Sequence, residues 1–600
     1  MEKWYIEVKK ADFEKIGQRF SISPVVARLL RNRDMTEEKD IDLFLNGTKE
    51  RLYDPFLMKD MAQAVALIKK YIKEGKKIRI IGDYDIDGIC SAYILKRGLC
   101  YAIGESEKFP DVVIPHRIQD GYGLNDRLIE EAKQDGVEVI LTCDNGIAAS
   151  GQIALANELG MHVIVTDHHE VPFEKVGDEK RCLLPPADAV VDPHRADCEY
   201  PFKGICGGVV AWKVVQALLE DNDPLKEKEN AQKETSEKET AEKHTLLEEC
   251  FAFAAFATIG DVMELNGENH IIVKYGLESI AACPNYGLQA LIEQCGLKGK
   301  ELSPYHVGFI LGPCFNASGR LDTADRVLKL LESLSKREAM QIAAELRELN
   351  AQRQELTAEG LEEAVRLVEE GGFKEDRVLV VYLPGVHESL AGIIAGKLRE
   401  RYGKPVFVLT DAKDAVKGSG RSIDAYHMFE EMTKIQDVFI KYGGHKLAAG
   451  MSLPVGGAAE FRRRINEVCT LQEEDFVEKV MIDVPMPIDY VTADLLAQIK
   501  LLEPYGNGNR RPLFAQKNVS LEQCRILGKN ANVVKGKVKR QNGTVLDAVY
   551  FGDGAAFMER LDKAGDRADI VYTPGENTFR GQTTIQIEIK YIRFAGEENK

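Results

Sequence analysis

The chain has 600 residues, 44% hydrophobic and 29% charged, which excludes a fibrous, collagen-like or largely disordered protein and, at about 150 residues per domain, predicts about four domains. With 96 acids against 79 Lys and Arg the net charge is -17, so nothing draws the whole chain to phosphate or anionic lipid, and any nucleic-acid site has to be a local basic patch. The 12 cysteines include no CxxC pair, the start MEKWYIEVKKADF has no signal-peptide core, and the longest apolar run, near 250–260, is too short for a bilayer; a soluble cytoplasmic protein with reduced thiols is expected, with no membrane partner.

Residues 1–76 read as an N-terminal helical segment. From Lys77 to Asp192 the short apolar runs KIRIIG, VVIP, VEVILT, HVIVT and AVV alternate with helical stretches, the rhythm of a buried parallel sheet. This α/β domain is expected over 77–322. Within it, 221–245 is rich in Lys, Glu and Thr and almost free of apolar residues, so it reads as a solvated insertion. Residues 323–370 contain no proline and carry apolar residues at helical spacing, predicting one or two long connecting helices. A second, smaller α/β domain is expected over 371–465, opening with RVLVVYLPG and continuing through PVFVLT. From 466 to 600 short strands and turns predict a β-barrel of the OB type. The predicted fold class is therefore two α/β domains joined by a long helical spacer and followed by a β-barrel.

The chemistry gathers at three predicted strand ends. KIRIIG runs into GDYDIDG with Asp83, Asp85 and Asp87; VEVILT ends in CDNG with Asp144; HVIVT ends in Asp167, His168 and His169. Open α/β sheets place their sites at the carboxyl ends of strands. The Asp-x-Asp-x-Asp run lacks the Gly and Glu of an EF-hand loop, and so many carboxylates together repel unless cations neutralise them. Mixed oxygen and imidazole donors suit Mn²⁺ or a similar divalent ion, and two such ions about 4 Å apart favour in-line displacement at phosphorus, hence phosphoester hydrolysis. Asp261, in IGDVMEL, is either a further acid of this set or a helix cap.

Other stretches suit anions. PHRIQDGYGL sets Arg117 and Tyr122 among glycines, and NASGR, KGSGRS and YGGHKLAAG pair glycines with Arg320, Ser419, Arg421 and His445; glycine lets backbone N–H groups approach phosphate and arginine supplies a fork. GIIAGKL, 392–398, imitates a Walker loop but has three residues between its glycines and no hydroxyl residue after Lys397, so nucleotide-triphosphate hydrolysis is rejected. Between 506 and 546 nine Lys or Arg face one acid, Glu522; this is either an ordinary solvated face or a single-strand-binding surface carrying Arg510, Arg511, Lys529, Lys535, Lys537 and Lys539.

In order and spacing, DYDIDG, TCDNG and the Asp167-His168-His169 triplet resemble the DHH phosphoesterase superfamily, and NASGR, KGSGRS and GGH resemble its DHHA1 domain type. Similarity from about Lys77 to Phe514, including LEPYGNGNRRPLF, points within it to exonucleases for single-stranded DNA. The resemblance implies that Asp83, Asp85, Asp87, Asp144, His168 and Asp261 bind two Mn²⁺ or Mg²⁺ ions, with Asp144, His168 and His169 catalytic. It also implies that Arg117, Asn316, Arg320, His387, Ser419, Arg421 and His445 contact the strand, and that Tyr122 stacks on a base. The implied activity is 5′-to-3′ degradation of single-stranded DNA to mononucleotides in repair and recombination, by a monomer, with a single-stranded-DNA-binding protein and a helicase as partners by family habit. Val386 and Ser389 stand where relatives commonly have Trp and Gly. Two other readings remain: a phosphodiesterase for short oligoribonucleotides or cyclic dinucleotides, and a non-catalytic DNA-binding relative similar to Cdc45.

Overall fold

Five strands order the first α/β domain, and every one of their pairings is parallel: Asp111–Val113, Ile78–Ile81, Val139–Cys143, His162–Thr166 and Ala189–Val191, side by side in that order. The first strand in sequence therefore lies second, a 2-1-3-4-5 arrangement whose crevice opens between the first and third strands. All four residues of Ile78–Ile81 and all five of Val139–Cys143 are buried, which is why these strands read as unbroken apolar runs rather than alternations. The computed structural model describes residues 2–104, 110–117, 120–121, 123–176, 179–220, 237–579 and 581–597. Tyr122 and residues 221–236 of the predicted insertion lie outside the described residues, whereas 237–245 begin the helix Glu237–Gly260. Among the described residues no helix is long and apolar enough to cross a membrane.

The connecting segment is dominated by one 35-residue helix, Lys336–Glu370, capped by Ser335, whose hydroxyl accepts the Glu338 N–H, and ending at Gly371. Its buried stripe, Ala339, Ala343, Leu346, Asn350, Thr357, Gly360, Ala364 and Val368, has the three- and four-residue spacing of one helical face. The second α/β sheet runs Lys441–Gly444, Ala448–Leu453, Val416–Arg421, Val406–Asp411, Leu379–Tyr382, and only the last pair is parallel. Alternation along Val406–Asp411 serves two cores: Phe407 and Leu409 pack with Phe461 and Ile465, while Val406 and Val408 pack with Ile394, Ala364 and Val368. Residues 466–476, expected with the barrel, group instead with this sheet, because the helix Ala458–Val468 covers it through Phe461 and Ile465.

A separate compact unit is made of Met1–Arg51, Glu264–His270 and Val477–Lys600. Its strands Val484–Pro485, Phe514–Leu527, Val533–Lys539, Val545–Phe551, Gln582–Phe594 and Arg567–Phe579 follow one another, and pairing of Phe514–Leu527 with Arg567–Phe579 closes the ring. Closure removes the open edges that a flat sheet would expose. Residues 1–76, expected as one helical segment, carry helices but begin with a strand and divide between the two units. A strand, Glu2–Ile6, pairs in parallel with Glu478–Ile482, the helices Phe13–Phe20, Pro24–Asn32 and Glu38–Asn46 share one core with the barrel through Val26, Leu30 and Phe44, and residues 52–76 belong to the larger unit. The motif PYGNGNRRP is part of this packing: Asn509 Nδ2 donates to the Leu502 and Pro504 carbonyls, and its Oδ1 accepts from Arg33 Nε at 2.7 Å.

Candidate active site

Each predicted acid leaves the sheet at a carboxyl end. Asp83 follows Ile78–Ile81. Asp85 caps the helix Ile86–Ile103, accepting the N–H groups of Asp87 and Gly88 at 2.9 and 3.1 Å; the cap and the first-turn position of Asp87 turn an Asp-x-Asp-x-Asp spacing into three carboxylates around one helix start. Asp144 follows Val139–Cys143 with φ 58°, left-handed backbone that a short polar side chain tolerates, and Gly146 two residues later has φ 113°, where an added Cβ would lie 2.6 Å from Thr142 Oγ1. Asp261 follows the helix Glu237–Gly260.

These side chains converge. His168 Nε2 lies 3.1 Å from Asp144, 3.5 Å from Asp87 and 3.9 Å from Asp261. Potential ligand atoms fall within 4.8 Å of one another in three groups: Asp144, His168 and His169; Asp87, His168 and Asp261; Asp83, Asp85 and Asp144. Burial, then the neighbouring carboxylates, raises Asp85 and Asp144 and pushes Asp83 and Asp261 up to about 8. Anions crowded this closely call for a cation in their midst. His168 is lowered, first by burial, which keeps a neutral imidazole able to act as a ligand. The donor set, acids plus one imidazole, fits two hard-to-borderline divalent ions.

Asp167, already placed at a strand end by the sequence, and the Gly207–Gly208 pair, which sequence reasoning left out, brace the site. Asp167 accepts the N–H groups of Ile147 and His168 at 2.9 and 2.8 Å and pairs with His169 Nδ1 at 2.8 Å. Burial pulls His169 down, but the hydrogen bond and charge of Asp167, followed by Asp87 and Asp261, push it up to about 9. Gly207, opening the helix Gly207–Leu219, donates its N–H to Asp87 Oδ2 at 2.7 Å, and Gly208 donates to Oδ1 at 2.7 Å. The sequence signal was a Gly-Gly pair before an apolar helix. A Cβ on Gly207 would lie 2.8 Å from Asp144 Cβ and 3.0 Å from Asp87 Oδ2. Gly207→Ala is therefore expected to displace both carboxylates, lowering kcat about 10²-fold, the scale of a misplacement near 1 Å, and weakening Mn²⁺ binding in calorimetry; unchanged Mn²⁺ affinity would sink this account.

Beside these residues lies a cleft of about 990 Å³, lined by Arg117, Arg320, Ser419 and Arg421 as expected, and also by Arg353, Lys397 and Lys417. Arg117 stacks over the Tyr84 ring at 4.6 Å. Arg320 is brought down to about 9 by burial, then by Arg117, Arg353 and Arg421; Arg353 and Arg421 are lowered too, chiefly by burial. Four guanidiniums facing one space make an anion site. The rejected Walker imitation reappears here in another role: Gly392, where a Cβ would sit 3.0 Å from Arg421 Nη2, lines the cleft on the helix Ala391–Tyr402.

The other expected contacts are placed differently. Asn316 precedes Arg320 by one turn of the helix Gly312–Leu321 and is not among the cleft-lining residues. His387 does not line it either; its Nδ1 lies 2.7 Å from Ser389 Oγ, and the Ser389 carbonyl accepts from Arg320 Nη1 at 2.5 Å, so this loop steadies an arginine. His445 is exposed in the turn before Ala448–Leu453, its N–H bonded to the Ala448 carbonyl. In the barrel Lys535, Lys537 and Lys539 alternate with buried Val534, Gly536 and Val538 along one strand, but Lys535 pairs with Asp547 at 3.1 Å and Lys539 lies 3.9 Å from Glu522. Arg510 lies 3.7 Å from Asp483, Arg511 sits over the Tyr505 ring, and Lys529 is exposed.

Three family models match the chain: the DHH family N-terminal domain over 77–245, the DHHA1 domain over 375–471, and the RecJ OB domain over 482–591. The single-stranded-DNA-specific exonuclease RecJ of Bacillus subtilis is 34% identical across 97% of this chain and 70% of its own length, and that of Haemophilus influenzae is 30% identical across 96% and 97%. The crystal structure of Thermus thermophilus RecJ in complex with Mn²⁺ superposes with a TM-score of 0.77 at 26% identity, covering 98% of this chain and 79% of that one.

Proposed function

The chain belongs to the RecJ family, and from that premise we infer that it is a single-stranded-DNA-specific exonuclease holding two Mn²⁺ or Mg²⁺ ions on Asp83, Asp85, Asp87, Asp144, His168 and Asp261. The observation that carries the reading is the juxtaposition of this acid and imidazole cluster with a four-arginine cleft. When bound, the ions supply charge stabilisation to an in-line displacement at phosphorus. Arg117, Arg320, Ser419 and Arg421 grip phosphate, Arg353 adds a fourth guanidinium, and His169, oriented through Nδ1 by Asp167, supplies an imidazole beside the reacting group. A pocket this rich in arginine suits a dianionic terminal phosphate more than an internal diester, which supports attack at a phosphorylated strand end with release of mononucleotides; that this is the 5′ end belongs to the same proposal.

Similarity that continues through the barrel favours a polymeric substrate over a dinucleotide, and the complete ligand set speaks against a non-catalytic binding protein. The outward lysines of the Val533–Lys539 strand would add sequence-independent affinity for the backbone. The role in repair and recombination, the monomeric state, the cytoplasmic setting, and a single-stranded-DNA-binding protein and a helicase as partners belong to the same proposal. The test is a Mn²⁺ time course on a strand labelled at either end. Mononucleotide released first from the 5′ label is expected; attack only from the 3′ end, or an inert strand beside a rapidly cut dinucleotide, would overturn the reading.

Arg353 is separable from the metals. Its Nε is held by Asn350 Oδ1 at 3.1 Å on the long helix, and a charge-assisted contact to phosphate is worth about 1.5–3 kcal/mol. Arg353→Ala should raise KM for a 5′-phosphorylated strand about tenfold or more, with little change for the same strand bearing a 5′-hydroxyl. Equal KM increases for both ends would remove Arg353 from the phosphate site.

A further inference from the structure

We propose that Tyr305 and Phe309 form a base-stacking platform at the rim of the arginine-lined cleft, on which one nucleobase of the strand lies while the arginines hold its phosphates. This deepens the exonuclease reading and rests on it. Phe309 is 72% exposed and Tyr305 62%. Their rings are stacked, with centroids 5.3 Å apart and planes 24° from parallel. Two large rings left in water forgo the gain that burial would give them, and they are not a scattered pair: Phe309 lines the same cleft as Arg117, Arg320 and Arg353.

The backbone explains why the rings stand there. Phe309 lies in a π-helical turn, His306–Leu311, a widened helix of a kind often found at functional sites, and this turn runs directly into the helix that carries Arg320. Its inner face is committed to packing: Val307 and Leu311 are fully buried, a Cβ on Gly308 would lie 3.6 Å from Ile259, and one on Gly312 would lie 2.8 Å from Ile86. Ile86 separates Asp85 from Asp87, and Ile259 precedes Asp261 by two residues. The segment that displays the aromatic pair is thus braced against the segments that carry the metal ligands.

Charge complementarity selects the occupant. A cleft with four guanidiniums calls for repeated negative charge, and an adjacent pair of flat apolar rings calls for flat π faces. Single-stranded nucleic acid offers both. In a duplex the base faces are already stacked on their neighbours, so the platform would add to single-strand selectivity without reading sequence.

The test uses the full-length, Mn²⁺-loaded protein and a fluorescent phosphorothioate-linked strand that resists cutting, with one abasic site moved through the first six positions from the 5′ end. For the wild type, binding should weaken about tenfold or more at one position, the scale of one base on an aromatic ring. Y305A/F309A should bind the intact strand about tenfold more weakly and lose its response to the abasic site at that position, while F309W should restore both. Wild-type affinity in the double variant, or an undiminished abasic response, would overturn the platform. Failure of the exonuclease reading shows separately, as a phosphodiester strand that the wild type leaves uncut; failure of the variant to fold shows as a lowered Tm that F309W does not share.

Discussion

Asp144→Asn should lower kcat on single-stranded DNA by about 10⁴-fold and leave the fold intact. Asp144 belongs to two of the three ligand groups, one with His168 and His169 and one with Asp83 and Asp85, so its carboxylate serves both halves of the cluster. Losing several kcal/mol of charge stabilisation in the transition state, at 1.36 kcal/mol per factor of ten, gives about this figure. Asn is the informative replacement because it accepts the left-handed backbone at φ 58°. Ala would add roughly 1–2 kcal/mol of strain at that position and mix a stability effect with the catalytic one. Calorimetry with Mn²⁺ should show weaker binding and reduced stoichiometry in Asp144→Asn at an unchanged Tm. A kcat within tenfold of wild type with both ions retained would remove Asp144 from the centre of the site.

The positions of the acids were legible in the sequence because strands buried on both faces announce themselves as apolar runs, and the residue after such a run is at a strand end. IRII and VILTC gave their ends away, and Asp83, Asp85, Asp87 and Asp144 with them. Partners brought in from far along the chain left no such mark. Glu2–Ile6 is one short strand whose neighbour, Glu478–Ile482, lies hundreds of residues away, and nothing local in EKWYI names that neighbour. Arg353 sits in a helix with charged residues on most of its turns, where spacing defines a face but not what the face meets. Glycine motifs proved ambiguous for a related reason: KGSGRS supplied Ser419 and Arg421 to the cleft, whereas GGH shaped a hairpin turn that leaves His445 exposed. Gly392, dismissed with its Walker imitation, matters through the absence of a side chain beside Arg421. A missing atom has meaning only once its neighbour is known.

His169→Ala should cost about 10³-fold in kcat with little change in Mn²⁺ affinity, at the upper end of what one positioned donor or acid–base group contributes. The split follows from the geometry. His168 points Nε2 at Asp144, Asp87 and Asp261, as a ligand would, whereas His169 spends Nδ1 on Asp167 at 2.8 Å and remains partly exposed toward the site. Asp167 also fixes the turn through the N–H groups of Ile147 and His168, so it orients the imidazole and stabilises its charge at once. Asp167→Asn retains an oxygen for those N–H groups but removes the charge, and should cost about 10²-fold. If the two residues act as one unit, the double variant should be hardly slower than His169→Ala alone, since an aspartate with no imidazole to orient contributes little to catalysis. Multiplicative losses in the double variant would mean that Asp167 acts by itself, through the turn that delivers His168, and the role given to the pair would then fall to His168 and the arginines.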